Sequence, residues 1–197
     1  MGSLQESFRK TDRVLGIYRQ KEGSENFPIQ IPPLAQIAKD DTGLEIKYRK
    51  LNLDQPGQIR GRLLRYRDRA YIEYSSELNT CWTRFVVCKE LCHLILDSAE
   101  EYTKSPPSFV EQLLGQITGE PREDLVSERT AEIAALELLF PHDLRRSFME
   151  LFKNGRLSLL KIATILRIPQ KYAEICYHRR YIDYMADVRS EMAANGG

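Results

Sequence analysis

Three polar residues interrupt an otherwise apolar stretch of this 197-residue chain: Lys89, Glu90 and His93. Positions 89 and 93 are four apart, so on a helix both side chains share one face. The trio has the spacing of the H-E-x-x-H zinc motif with its first histidine replaced by lysine. In a working motif the two histidines bind the metal through neutral imidazole nitrogens, and the glutamate takes a proton from the metal-bound water. That chemistry assigns Glu90 the general-base position, His93 a metal-ligand position and Lys89 the position of a lost first ligand. A third ligand must come from elsewhere in the chain, and Glu128, within Ser127-Glu128-Arg129-Thr130-Ala131-Glu132, is the candidate.

The elements that must position these groups follow from periodicity. The run from Trp82 to Leu96 is nearly wholly apolar, with the three residues above as its only polar interruptions past Arg84, which predicts a helix buried on most sides. A second buried helix is expected from Leu125 to Phe140, stopped by Pro141, with a Pro- and Gly-containing link over residues 105–120 between the two. Ahead of them, 62–66 and 70–74 alternate as two strands about the polar turn Arg67-Asp68-Arg69, and 44–48 alternates as a further strand. A short amphipathic helix over 33–39 presents Leu34, Ile37 and Ala38, and 4–19 reads as an exposed helix.

The stretch Arg84-Phe85-Val86-Val87-Cys88-Lys89-Glu90-Leu91-Cys92-His93-Leu94-Ile95-Leu96 resembles the R-F-x-x-A-H-E-L-G-H-x-x-L segment of the ImmA/IrrE family of metallopeptidase-like proteins. Downstream, Glu128-Arg129-Thr130-Ala131-Glu132-Ile133-Ala134-Ala135-Leu136-Glu137-Leu138-Leu139-Phe140-Pro141 resembles that family's E-x-x-A-N-x-F-A-x-x-L-L-M-P block, whose first glutamate is the third zinc ligand. The resemblance, weaker outside the two blocks, covers roughly residues 30 to 180. It implies an α+β, zincin-like metallopeptidase fold: a small antiparallel sheet, a buried zinc-type helix, a second site helix and a C-terminal, helix-turn-helix-like tail. The corresponding division is 1–27 as N-terminal helix and linker, 28–142 as the zincin-like domain and 143–197 as the helical tail.

The sequence departs from the family where the chemistry is most demanding, with Lys89 at the first histidine, Cys92 at the glycine, Glu132 at the asparagine and Ala134 at the phenylalanine. A protonated lysine has no lone pair to donate, and its charge repels a cation. Zinc, the family's cofactor, is therefore expected to be absent or weakly held. The charges predict instead that the Lys89 ammonium bridges Glu90 and Glu128, because buried carboxylates without a counter-charge are costly. The expected function is that of a regulatory pseudoenzyme that binds or acts on a helix-turn-helix repressor. The alternative is an active zinc endopeptidase that cuts such a repressor, with Glu90 as general base. Cys88 and Cys92 are also four apart but point about 80° or more away from the 89/93 face, so small core residues are the expected role. Glu132 and Glu137 read as surface or helix-pair charges, Trp82 and the hairpin tyrosines as packing residues, and His142 and His178 receive no role.

From residue 143 to 189, ten Lys or Arg residues face five Asp or Glu, a net charge of about +5. Here Lys161 to Ala173 resembles a helix-turn-helix pattern with Arg167 at the glycine and Pro169 opening a second helix that would run to about Tyr181. Gln170, Lys171, Glu174 and Arg179 are its candidate DNA contacts. Apolar positions continue through Ile175, Tyr177 and Ile182, which favours packing over nucleic-acid binding. The whole chain is nearly neutral, at +1, and lacks both a signal-peptide pattern and an apolar run of membrane-spanning length. Four cysteines, three of them crowded into one segment, are a poor disulfide framework, so a cytoplasmic protein with reduced thiols is expected.

Overall fold

A helix that is apolar on every side must be surrounded, and the rest of the chain is arranged to do that. The computed structural model describes residues 4–23, 27–52, 60–97 and 123–194. Numbered in chain order, the helices are α1 (Leu4–Glu22), α2 (Ile31–Thr42), α3 (Thr80–Leu96), α4 (Glu123–Leu139), α5 (His142–Lys153), α6 (Leu159–Leu166), α7 (Gln170–Tyr177) and α8 (Arg179–Ala194). Helix α3 starts where Asn79 caps it, its side chain accepting a hydrogen bond from the Trp82 N–H at 3.1 Å. It buries Phe85, Val86, Val87, Cys88, Leu91, Cys92 and Leu94 against α1, α2, α4 and the sheet. The facing side of α4 is built of small residues, Ala131, Ala134 and Ala135, all buried. Their spacing of three and four makes a seam along which the backbones approach, with Cys88 Sγ 3.9 Å from the Ala135 carbonyl oxygen.

The sheet holds β1 (Glu45–Leu51), β2 (Gly61–Arg65) and β3 (Arg69–Ser75) in the order β1-β3-β2. Strands β2 and β3 form the expected antiparallel hairpin. Strand β1, however, runs parallel to β3, so the sheet is mixed and not antiparallel throughout. Alternation in a sequence shows which face of a strand is apolar but not the direction of its neighbour. The central place falls to β3, whose Ala70 and Ile72 are completely buried while β1 and β2 stay partly open. Helix α2 leads into β1 through Gly43, which takes the left-handed conformation (φ 69°) and donates its N–H to the Lys39 carbonyl at 2.8 Å. At the other edge, Gly61 of β2 passes so close to α3 that a Cβ there would collide with Val86 Cγ1.

Helix α1 is not the exposed helix that its charged composition suggests: Phe8, Thr11, Val14, Leu15 and Tyr18 are buried along one face. The Tyr18 hydroxyl accepts the Gln30 N–H at 2.9 Å, tying the start of α2 to α1. In the tail, Ile162, Ala163, Leu166, Tyr172, Ala173 and Cys176 join the same core as Leu91, Leu94 and Leu136. Glu137 is buried, not on the surface, and it pairs with Arg145 at 2.6 Å, Arg189 at 3.0 Å and the Tyr181 hydroxyl at 2.8 Å, linking α4 to α5 and α8. No helix of the described residues is long and apolar enough to cross a membrane. The architecture is α+β. The seam has a direct test. Ala135→Leu, inserting three carbons where no space exists, should cost about 1–3 kcal/mol in urea denaturation, and an unchanged midpoint would mean that the two helices are not closely packed there.

Candidate functional site

Helices α3 and α4 bring the sequence-selected residues together. Lys89, at the outer edge of their interface, donates from Nζ to Glu128 Oε2 at 2.7 Å, and the same ammonium lies 3.2 Å from Glu90 Oε1. The bridge expected from the charges is thus formed, though unevenly. Glu128 receives a hydrogen bond, whereas Glu90 Oε1 has no hydrogen-bond partner and is compensated by the proximity of the charge. His93 Nε2 meets the second oxygen of Glu128, Oε1, at 3.1 Å. One carboxylate on α4 therefore holds two nitrogen groups one helical turn apart on α3. Glu90 and His93 are buried, while the Glu128 side chain is 57% exposed and forms the solvent boundary of the site.

Two further residues complete the network. Asp97, the residue that ends α3, places Oδ2 2.8 Å from His93 Nδ1, and the Ser127 hydroxyl donates to that same oxygen at 2.7 Å. Neither was singled out from the sequence. The spacing His93-x-x-x-Asp97 was the available signal, since a residue four beyond a helical histidine falls on its face even when it caps the helix. Ser127 adjoins Glu128 and crosses from α4 to α3, so the two helices are joined by a chain of polar contacts from Lys89 to Asp97.

Electrostatics follow from this arrangement. Burial pulls the Lys89 ammonium down, but the charges of Glu90 and Glu128 outweigh it and raise its pKa above the ordinary value. Burial likewise disfavours charge on His93, yet its hydrogen bonds to Asp97 and Glu128 prevail and push it up to about 9. Burial alone would raise Glu128, and the bond from His93 and the Lys89 charge bring it instead to about 2. Glu90 is pushed up by its burial, against the opposing pull of Lys89 and His93.

The donor set is one short of the usual zinc centre, which has three or more lone-pair donors: here His93 and Glu128 are two, Glu128 accepts from the Lys89 ammonium, and His93 Nε2 lies 3.1 Å from Glu128 Oε1. Among the described residues no group of three or more His, Cys, Asp or Glu is disposed to hold a metal ion. Cys88 and Cys92 do not fill the gap, as both are buried on the core side, Cys88 against Ala135.

The candidate DNA contacts are not gathered on one long helix. Helix α7 ends at Tyr177, and Arg179 belongs to the next helix, where it pairs with Asp183 at 3.6 Å. The chain leaves its helical path at His178, whose extended backbone (φ −74°, ψ 132°) separates α7 from α8. Gln170 donates to Glu174 at 2.8 Å within α7. Lys171 lies over the rings of Trp82 and Tyr172, at 4.7 and 4.5 Å, so its stem and charge face α3. Arg167 does take the left-handed conformation (φ 53°) at the position where the pattern has glycine, and its carbonyl accepts from Arg84 Nε at 3.2 Å. Glu132 is a helix-pair group, receiving the Tyr172 hydroxyl. The expected link over 105–120 lies outside the described residues.

No family model matches this sequence, and no curated protein does. Among solved structures the chain is similar to a Mycobacterium tuberculosis transcriptional regulator, with 12% sequence identity and a TM-score of 0.50 over 90% of this chain. It spans about half of that protein, 53% of its length. At this identity the likeness concerns fold alone.

The pH dependence of the network has a definite sign. His93, raised from 6.5 to about 9, contributes stability that is complete below about 6.5 and is lost as the pH rises through 9. Glu128, lowered from 4.5 to about 2, contributes above 4.5 and is lost as the pH falls towards 2. Titration of the His93 ring by NMR should therefore give a midpoint near 9 that drops in Asp97→Asn. A midpoint at the ordinary histidine value in the natural protein would show that the ring is not held by both carboxylates.

Proposed function

We propose that this chain is a metal-independent regulatory relative of the zincin-like ImmA/IrrE metallopeptidases, in which a lysine stands where the family carries its first zinc ligand. The observation that carries this reading is the Lys89 ammonium 2.7 Å from Glu128 and 3.2 Å from Glu90. Two lines of sequence support it: the Arg84–Leu96 stretch for α3 and the Glu128–Pro141 stretch for α4. A site of this kind has no metal-bound water to activate, and Glu90, buried and 3.2 Å from the Lys89 ammonium, serves as that charge's partner and not as a general base. The activity that remains is recognition. The protein binds a helix-turn-helix repressor in the cytoplasm and alters its availability without cutting it. A solved relative in fold that is itself a transcriptional regulator fits a role in gene control.

The competing reading is a working endopeptidase, favoured by one feature: His93 keeps a carboxylate on its far nitrogen, the arrangement that orients metal-binding histidines. Metal content separates the two. Protein purified and dialysed against zinc should hold substoichiometric metal by mass spectrometry, and Lys89→His should take up one equivalent. Lys89→Met, which strands Glu90 and leaves Glu128 with His93 alone, should lose about 2 kcal/mol of stability, less than a fully buried pair because Glu128 is open to water. Stoichiometric zinc in the unaltered chain, together with metal-dependent cleavage of a co-expressed repressor, would establish the enzyme instead.

A further inference from the structure

The formal net charge of +1 conceals an uneven distribution. In residues 45–52 and 60–75, which contain the three strands, eight Lys or Arg residues stand against three Asp or Glu, a net of +5 (8 − 3), so the remainder of the chain is acidic by about four charges. Pleating sorts these residues by face. Ala70 and Ile72 of β3 point to α3 and are buried, and the alternate positions point away from it. On that outer face the register sets Lys47 of β1 beside Tyr71, and sets Arg49 of β1 and Arg62 of β2 on either side of Glu73.

Glu73 acts as an anchor for the face. Its side chain is only 4% exposed, and it receives Arg62 Nε at 2.6 Å and Arg49 Nη1 at 3.4 Å, whereas those two arginines are 46% and 47% exposed. One buried carboxylate thereby fixes two guanidinium groups whose side chains stay nearly half exposed. Arg49 also lies over the Tyr71 ring, 3.5 Å from its centre, and the Tyr66 ring meets Tyr71 edge-on at 5.8 Å. Tyr66 is itself 53% exposed, among the most open large apolar side chains described.

We infer that the outer face of the sheet binds single-stranded nucleic acid, with Lys47, Arg49 and Arg62 taking backbone phosphates and Tyr66 stacking on a base. Fixed guanidinium groups match phosphate oxygens through paired N–H donors. An open aromatic ring beside them offers what an acidic peptide cannot use and a base can. A duplex, whose bases are stacked inside, would leave Tyr66 without a partner. The surface is separate from the Lys89 site and does not depend on the reading given to it.

Fluorescence anisotropy on the full chain tests this with labelled oligo(dT) and oligo(U), a duplex of equal length and an oligo-glutamate of equal charge. Single strands should bind with a log–log salt slope of about −2, from roughly 0.7 per phosphate for the three cationic groups. Tyr66→Ala should weaken binding about tenfold, the scale of one base–aromatic stack, and Lys47→Gln should lower the slope by about 0.7. Both positions are open to solvent, so the urea midpoints of the two variants should match the parent. Absence of single-strand binding at low salt, equal binding of oligo-glutamate or duplex, or indifference to Tyr66→Ala in a folded protein would each overturn the inference.

Discussion

An ammonium group held between two carboxylates at a helix–helix interface is worth having only if the groups cannot return to water separately. Glu90 meets that condition because it is buried with one oxygen lacking a hydrogen bond, and its nearest compensation is Lys89 on the preceding residue. Glu128 then fixes where the ammonium points, reaching across from α4 with one oxygen for Lys89 and the other for His93. The alanine seam of α4 is what permits this reach. Larger residues at Ala131, Ala134 or Ala135 would widen the gap and leave the carboxylate of α4 short of its two partners.

The same principle recurs elsewhere in the core. Three glutamates are buried among the described residues, and each is met by cationic side chains: Glu73 by Arg49 and Arg62, Glu90 by Lys89, and Glu137 by Arg145 and Arg189. Each group joins different elements: the three strands, the helix pair of the candidate site, and the tail to α4. Pairs of this kind add little net stability over apolar packing, but removing one partner is expensive, so they bind the elements to one another in a single arrangement. At Glu73 and Glu137 the cations are arginines with several donors to share. At Glu90 the cation is a lysine, a compact charge that fits within one turn of α3.

Much of this organisation was legible in the sequence. The all-round apolar run of α3 and the buried character of α4 followed from composition alone, and the spacing of Lys89, Glu90 and His93 placed them on adjoining faces without knowledge of the fold. The pairing with Glu128 followed from charge and from the resemblance of two ordered blocks. The parallel course of β1 was not legible, because side-chain alternation is the same in either direction. Nor was the burial of α1, whose apolar positions Phe8, Val14, Leu15 and Tyr18 are diluted by twelve polar or charged residues in Gln5–Glu22, or that of Glu137, since burial of a charge depends on arginines 8 and 52 residues away. Asp97 was overlooked because it lies just past the helix end, and the early stop of α7 at Tyr177 because no glycine or proline marks it.

If the Lys89 ammonium stands in place of a removable ion, as proposed, excess zinc should not displace it. A crystal grown in excess zinc, with diffraction collected on either side of the zinc absorption edge, tests it most directly. Lys89 Nζ should lie within hydrogen-bonding distance of Glu128, with no anomalous peak between His93 and Glu128. A strong peak at that point, with the Lys89 side chain turned out into solvent, would contradict it.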